Sequence, residues 1–129
     1  MQQWPLALVC NARVERVVQA VSATTHYLTV MPMLFADGHL GDKLFVVLQE
    51  RQGLFPNRGH FQAHNLEVCA HVTHMMTKEL LIKWVKTCLA PTDAPSNILL
   101  LVDSWTAFKN HSAIAAAVPS GKHVKIMNI

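Results

Sequence analysis

One carboxylate in the sequence stands where a metal-binding or catalytic side chain would be placed. Asp103 comes directly after the run Asn97–Val102 (NILLLV), which predicts a buried strand. A carboxylate at the carboxyl end of such a strand lies where open α/β sheets bind ligands, and it could hold a divalent cation there. In a second interpretation, Asp103 caps the turn formed by residues 104–106. The sequence leaves both interpretations open.

A second group of side chains is of the kinds that bind zinc. These residues lie close together in the sequence: His60, His64, Cys69, His71 and His74. Their spacing matches none of the paired zinc signatures, because Cys69 and His71 would share one face of a strand while His74 points elsewhere. We therefore favour ordinary polar residues of a loop and a strand over a zinc site.

Motifs for other chemistries are absent from the sequence. It contains no G-x-G-x-x-G, no G-x-x-x-x-G-K-[ST] and no G-x-S-x-G, so a phosphate-binding loop is not expected. Ser112 and Ser120 have histidines nearby, but closeness in sequence does not make a catalytic triad. Trp105 and Phe108 could stack on bases, whereas Trp84 lies on an apolar helix face and predicts a core residue. The same packing role is expected for four methionines: Met31, Met33, Met75 and Met76.

The first half of the chain is predicted to be a β-meander. Its strands are expected at Val14–Thr25, Tyr27–Phe35, Lys43–Gln49 and, more weakly, Leu66–His74. Asp37-Gly38 is a hairpin-turn dipeptide between the second and third of these strands. Gln52–Asn65 is rich in Gly, Pro, Asn and His without periodicity, which predicts a loop.

The second half of the chain predicts helix, strand, helix and strand in turn. Thr77 is a suitable N-cap for a helix whose apolar face includes Leu80, Leu81, Trp84, Val85, Cys88 and Leu89 and which Pro91 ends. Asn97–Val102 predicts a strand covered on both faces. Ser112–Val118 predicts a second helix and His123–Ile129 a last strand. The fold class is therefore α/β with a mixed sheet.

Length and composition limit the classes of protein to which this chain can belong. The sequence has 129 residues, of which 51% are hydrophobic and 15% charged, so one packed domain is expected. Apolar runs such as Ile98–Val102 are far too short to cross a membrane. Three cysteines at unpatterned spacings make a poor disulfide framework and favour an intracellular compartment. A net charge of +3 favours an anionic partner only mildly.

Several segments, taken together, are similar to one known family. Asn97–Lys109 (NILLLVDSWTAFK) resembles the second catalytic-aspartate strand of DDE superfamily endonucleases, the pogo and Tigger-like transposases and their domesticated relatives. Residues 13–40 resemble that family's central hairpin, and Met76–Cys88 its helix beginning with Met-Thr-Lys. His123–Ile129 resembles the strand before the third acidic motif. The similarity covers residues 13–129 and leaves residues 1–12 as an unmatched N-terminal segment.

The resemblance implies a DNA-cutting domain with an RNase H-like fold. Such domains bind two divalent metals through three carboxylates. The resemblance therefore implies Mg²⁺ as cofactor, DNA as partner and a nuclear location for this chain. Asp103 matches the second carboxylate. The first, in an Asp-x-Thr-Gly-like element, and the third, in a Gln-Pro-Leu-Asp-like element, have no counterpart. The expectation is a fragment of a transposase-derived DDE domain that is catalytically incomplete and binds Mg²⁺ weakly or not at all.

The departures from the family pattern also affect the sheet. The strand without a counterpart is the central one of an RNase H-like sheet, so its absence would leave a truncated fold with two exposed strand edges. Trp4–Cys10 is apolar enough to serve as a substitute strand. The chain also stops at Ile129 on an apolar strand position, which suggests a cut through a domain. The alternative function is a non-catalytic protein- or DNA-interaction module that forms homo-oligomers through its sheet edges, without membrane binding.

Overall fold

A computed structural model describes residues 27–129, which form five strands and two α-helices. The strands are β1 (Leu28–Met31), β2 (Leu44–Gln49), β3 (Leu66–His71), β4 (Asn97–Val102) and β5 (His123–Asn128). The helices are α1 (Lys78–Trp84), which a π-helical turn (Val85–Leu89) continues, and α2 (His111–Ala117), which a 3-10 turn (Thr106–Lys109) precedes. The α/β class is confirmed. The predicted strands at Val14–Thr25 and Trp4–Cys10 lie outside the described residues.

β1, β2 and β3 form one mixed sheet in that order. β1 and β2 are antiparallel, with Leu28 opposite Leu48. β2 and β3 are parallel, with Leu44 opposite Leu66. The meander prediction is therefore wrong for β3, because residues 50–65 carry the chain back along the sheet before β3 begins.

The hairpin between β1 and β2 is shorter in its paired part than the sequence predicts. The strand predicted for Tyr27–Phe35 ends at Met31, and only an isolated bridge between Leu34 and Leu40 pairs the chain beyond it. The predicted Asp-Gly turn is present. Gly38 has a φ of +93°, a conformation that side chains with a Cβ rarely adopt.

β4 and β5 form a separate parallel sheet, with Val102 opposite Asn128. The predicted bounds of β4 are confirmed. The prediction that both faces are covered is wrong within the described residues, because Leu99 and Leu101 are 59% and 58% exposed. Alternate side chains, beginning at Ile98, pack on the core instead.

Helix α1 begins as its sequence predicts. The Thr77 hydroxyl accepts a hydrogen bond from the backbone N–H of Leu80, 3.3 Å away. The apolar face that follows is buried, and Trp84 is only 2% exposed. Helix α2 begins in the same manner, since the Asn110 side chain accepts from the N–H of Ala113. In residues 27–129, no helix is long and apolar enough to span a bilayer.

A single hydrophobic core joins the two sheets. Buried side chains from β2, β3, β4, α1, the π-helical turn, the 3-10 turn and α2 belong to one cluster. Met31, Met33 and Met76 pack against it as predicted, whereas Met75 is exposed. Among the described strands, β1 and β4 each pair on one side only, so each is an edge strand.

Replacing Thr77 by alanine removes the hydroxyl that accepts from Leu80. We expect this variant to lower the free energy of unfolding by about 1 kcal/mol, measured by urea denaturation followed by circular dichroism. Thr92→Ala, in the exposed segment before β4, is the matched control and should change stability by less than about 0.5 kcal/mol. Equal losses in the two variants would show that Thr77 does not act as a cap.

Candidate functional site

Asp103 lies at the tip of the β4–β5 sheet. β4 ends at Val102, and Asp103 is the next residue and is exposed. The pairing of Val102 with Asn128 brings the carboxyl ends of the two parallel strands to the same edge. This is the edge at which open α/β sheets bind ligands.

The hydrogen bonds of Asp103 hold the first turn beyond this edge. Its carboxylate oxygen Oδ1 accepts from the backbone N–H of Trp105 at 3.1 Å. Its backbone carbonyl accepts from the side-chain amide of Asn128 at 3.0 Å. Asp103 therefore stands at the strand tip and also caps the turn, so the two interpretations of the sequence describe the same residue.

The chain beyond Asp103 is fixed by aromatic packing. The rings of Trp105 and Phe108 meet edge to face, with centroids 5.3 Å apart at 82°. Phe108 is buried, and Trp105 is half-buried and packs against the core. These rings anchor the turn to the core, which accounts for them without base stacking.

The residues described do not fit a Mg²⁺ site. Mg²⁺ needs near-octahedral oxygen ligands and retains most of its waters unless several anionic groups converge. Within residues 27–129, no group of three or more His, Cys, Asp or Glu side chains could hold a metal. Asp103 brings one carboxylate, and one of its oxygens is already hydrogen-bonded to the turn.

Three of the possible zinc ligands make other contacts. The His71 Nδ1 atom accepts from the backbone N–H of Thr73 at 3.2 Å. His74 Nδ1 lies 3.2 Å from the side-chain oxygen of Gln49, and His60 stacks on Phe55. Each of these three histidines makes a contact of its own within the loops and strands.

Cys69 lies in a small charged cluster that the sequence did not reveal. It is buried on β3, and the Lys83 ammonium lies 3.4 Å from the carboxylate of Glu67 on the same strand. Burial of Lys83 opposes its charge, but the neighbouring Cys69 thiol and Glu67 carboxylate more than offset this and raise the pKa of Lys83. The pairing joins β3 to α1 across a gap in sequence, so no local pattern indicated it.

Cys88 packs in the core as a neutral thiol. Burial raises the pKa of the Cys88 thiol above its ordinary value of 9.0. The cause is loss of solvent around a group that would otherwise ionise. A buried thiol of this kind is a poor nucleophile and a poor metal ligand, because both roles require the thiolate.

The loop between β2 and β3 contains exposed rings and arginines that sequence reasoning recorded only as a loop. We call residues 50–65 the 50–65 loop. The rings of Phe55 and His60 are stacked with centroids 3.8 Å apart at 12°, and Phe61 is 66% exposed. The sequence already contains an indication of this surface, since residues 51–66 contain two arginines, two phenylalanines and no Asp or Glu.

Comparison with protein-family models gives no match for this chain, and searches of curated proteins and of solved structures give no significant match. Function is therefore inferred from the residues and geometry described above.

Substitutions can separate the hydrogen-bonding role of Asp103 in the turn after β4 from the effect of its charge. Asp103→Asn keeps a side-chain oxygen for the Trp105 N–H and should leave stability within about 0.3 kcal/mol of wild type. Asp103→Ala removes the acceptor and should cost about 0.5–1 kcal/mol. Urea denaturation of the three proteins measures both values. An Asn variant as unstable as the Ala variant would contradict the role of the oxygen as the turn's acceptor.

The buried Cys88 thiol predicts a pH dependence of stability. Because its folded-state pKa is raised, its contribution to stability is complete below the unfolded-state value of 9.0 and is lost as pH rises through the folded-state pKa. We expect the free energy of unfolding to fall at alkaline pH, and to fall less in Cys88→Ala. Denaturation curves measured at neutral and alkaline pH test this. An equal fall in both proteins would contradict it.

Proposed function

We propose that this chain is part of a DDE-endonuclease-type domain that contacts nucleic acid and whose residues 27–129 do not carry a complete metal site. One observation carries the proposal: Asp103 lies at the carboxyl end of β4, beside the parallel strand β5. This is where the resemblance to DDE endonucleases puts its second catalytic carboxylate. The same resemblance supplies DNA as the partner and the nucleus as the location.

The order of elements supports the proposal. An antiparallel hairpin comes first, followed by β3, a helix, the strand leading to Asp103, a second helix and a last strand parallel to β4. Helix α1 begins at Lys78 of the Met76-Thr77-Lys78 element, with Thr77 as its cap. The RNase H-like fold that the resemblance implies is built from this succession.

The sheet edges offer a second line of support. An RNase H-like sheet has a central strand between its hairpin and the strand that ends at the second carboxylate. Among the described strands, β1 lies at one edge of its sheet and β4 at an edge of the other. Both sheets pack on one core. The pattern fits a scaffold whose central strand is not contributed by residues 27–129.

The chemistry assigned to this scaffold does not include DNA cleavage. Cleavage in the DDE family needs metal ions that activate a nucleophile and stabilise the leaving oxygen, held by three carboxylates. Asp103 matches one of them, and residues 27–129 gather no group of three metal-binding side chains around it. What remains is binding of nucleic acid without hydrolysis.

A second candidate function is a protein-interaction module on the same scaffold. The observation that favours it is the apolar face of the sheets, where Leu28 and Val30 on β1 and Leu99 and Leu101 on β4 are exposed. Exposed apolar side chains grouped on strands mark association surfaces. Sedimentation analysis separates the candidates: a stable homo-oligomer that Leu99→Lys with Leu101→Lys dissociates would favour the interaction module.

A plasmid-nicking assay tests the proposed absence of catalysis. We expect no conversion of supercoiled plasmid to the nicked form by the purified chain with Mg²⁺ or Mn²⁺, because one carboxylate cannot hold two metal ions. Asp103→Asn is the control for any contaminating nuclease. Metal-dependent nicking by the wild-type chain that disappears in Asp103→Asn would overturn the proposal that the chain is inactive.

A further inference from the structure

We infer that the 50–65 loop is a contact site for single-stranded nucleic acid, with Phe61 and the Phe55–His60 stack as base platforms and Arg51 and Arg58 as phosphate ligands. This inference rests on the proposed function for the class of ligand and deepens it by naming the surface. It does not depend on Asp103 or on a metal.

The first support is the charge of the loop. The 50–65 loop has two arginines, two histidines and one carboxylate, Glu50 at its start. Within residues 27–129, neither Arg51 nor Arg58 makes a salt bridge, whereas Lys43 and Lys83 both pair with Glu67. Guanidinium groups that are exposed and unpaired are available to phosphates, which they can bind through two parallel hydrogen bonds.

The second support is the set of exposed rings among these charges. Phe61 is two-thirds exposed, and Phe55 is partly exposed although it stacks on His60. Phe55 and Phe61 lie six residues apart in the same loop. Any of the bases can stack on such rings. Proteins that bind single strands usually combine such rings with a positively charged groove for the backbone. An acidic peptide would use the arginines but not the rings.

The third support is a shallow concavity beside Phe55. Arg51, Leu54, Phe55 and Pro56 line an open space of about 240 Å³. This is smaller than the roughly 300–1,000 Å³ of pockets for drug-sized ligands, so it can admit only a small group from solvent. Glu50 also lines it and places one carboxylate at one end, which would accept from a base amino group and repel phosphate.

The fourth support is that backbone hydrogen bonds shape the loop. The N–H of Glu50 donates to the carbonyl of His71, and the N–H of Leu44 to that of Asn65, each at 2.8 Å. Between these ends, Gly53 has a φ of +67° and lies against Val72, where an added Cβ would approach to 3.3 Å. The rings and arginines are therefore presented by a turn of defined shape.

Fluorescence anisotropy with a labelled oligothymidine of about 12 nucleotides, within the site sizes of single-strand binding folds, tests the inference. We expect Phe61→Ala to weaken binding about fivefold or more. The double variant Arg51→Gln with Arg58→Gln should weaken binding and reduce its salt dependence. Because Phe61 is largely exposed, its removal should leave the circular dichroism spectrum and the unfolding transition unchanged.

Phe35→Ala is the matched control. Phe35 is also an exposed ring stacked on a histidine, His39, with centroids 4.4 Å apart, but it lies in the β1–β2 turn beside Asp37. This variant should bind the oligonucleotide as wild type does. An equal loss in Phe35→Ala and Phe61→Ala would overturn the assignment to the 50–65 loop.

Three further outcomes would also overturn the inference, and the first two are distinguishable from failure of the proposed function. In the first outcome, the arginine double variant weakens binding, Phe61→Ala does not, and heparin competes with the oligonucleotide as well as unlabelled oligonucleotide does. The loop would then be a general polyanion-binding surface without base stacking. If wild type binds a duplex but no single strand, the loop assignment fails and nucleic-acid binding stands. If wild type binds neither strand form, both the loop assignment and the proposed function fail.

Discussion

Side-chain burial against α1 and its π-helical continuation holds the described structure together. No strand of the β1–β3 sheet pairs with a strand of the β4–β5 sheet, so no backbone hydrogen-bond ladder joins them. Leu81, Trp84 and Val85 are instead buried in the cluster that takes Phe45 from one sheet and Val102 from the other. Burial of a large apolar side chain contributes about 1.5–3 kcal/mol, and the relative placement of the two sheets depends on this packing.

This arrangement has consequences for the surfaces around the junction. β1 and β4 present unpaired backbone on one side within the described residues, and unpaired strand edges readily accept another strand. The Trp84 indole N–H is buried without an acceptor among these residues, and an unsatisfied buried donor costs about 1–3 kcal/mol.

Local signals in the sequence predicted the elements that depend on local chemistry. The Asp37-Gly38 turn, the Thr77 cap and the strand Asn97–Val102 each follow from a few adjacent residues, and the structure contains all three. The position of Asp103 followed from the strand before it. The parallel pairing of β3 did not follow, because it depends on the path of the 50–65 loop across the sheet. Strand composition alone cannot distinguish parallel from antiparallel neighbours.

The candidate site was predictable only in part for the same reason. Asp103 could be placed at a strand tip, but which side chains surround it depends on how distant segments pack. The hydrogen bonds of His71 to Thr73 and of His74 to Gln49 could not be derived from the spacing of the two histidines. Nor could the exposure of Leu99 and Leu101, since an apolar run predicts burial on two faces and only the packed structure shows which face is covered.

The central claim is that Asp103 stands at a strand tip as a single carboxylate without partners among residues 27–129 that would hold Mg²⁺. A Mg²⁺ titration followed by the amide resonances of Ser104, Trp105 and Asn128 tests it most directly, with Asp103→Asn for comparison. The account predicts small, non-saturating shifts at millimolar Mg²⁺, because one exposed carboxylate binds this ion weakly. Saturating shifts centred on these amides and abolished in Asp103→Asn would contradict it.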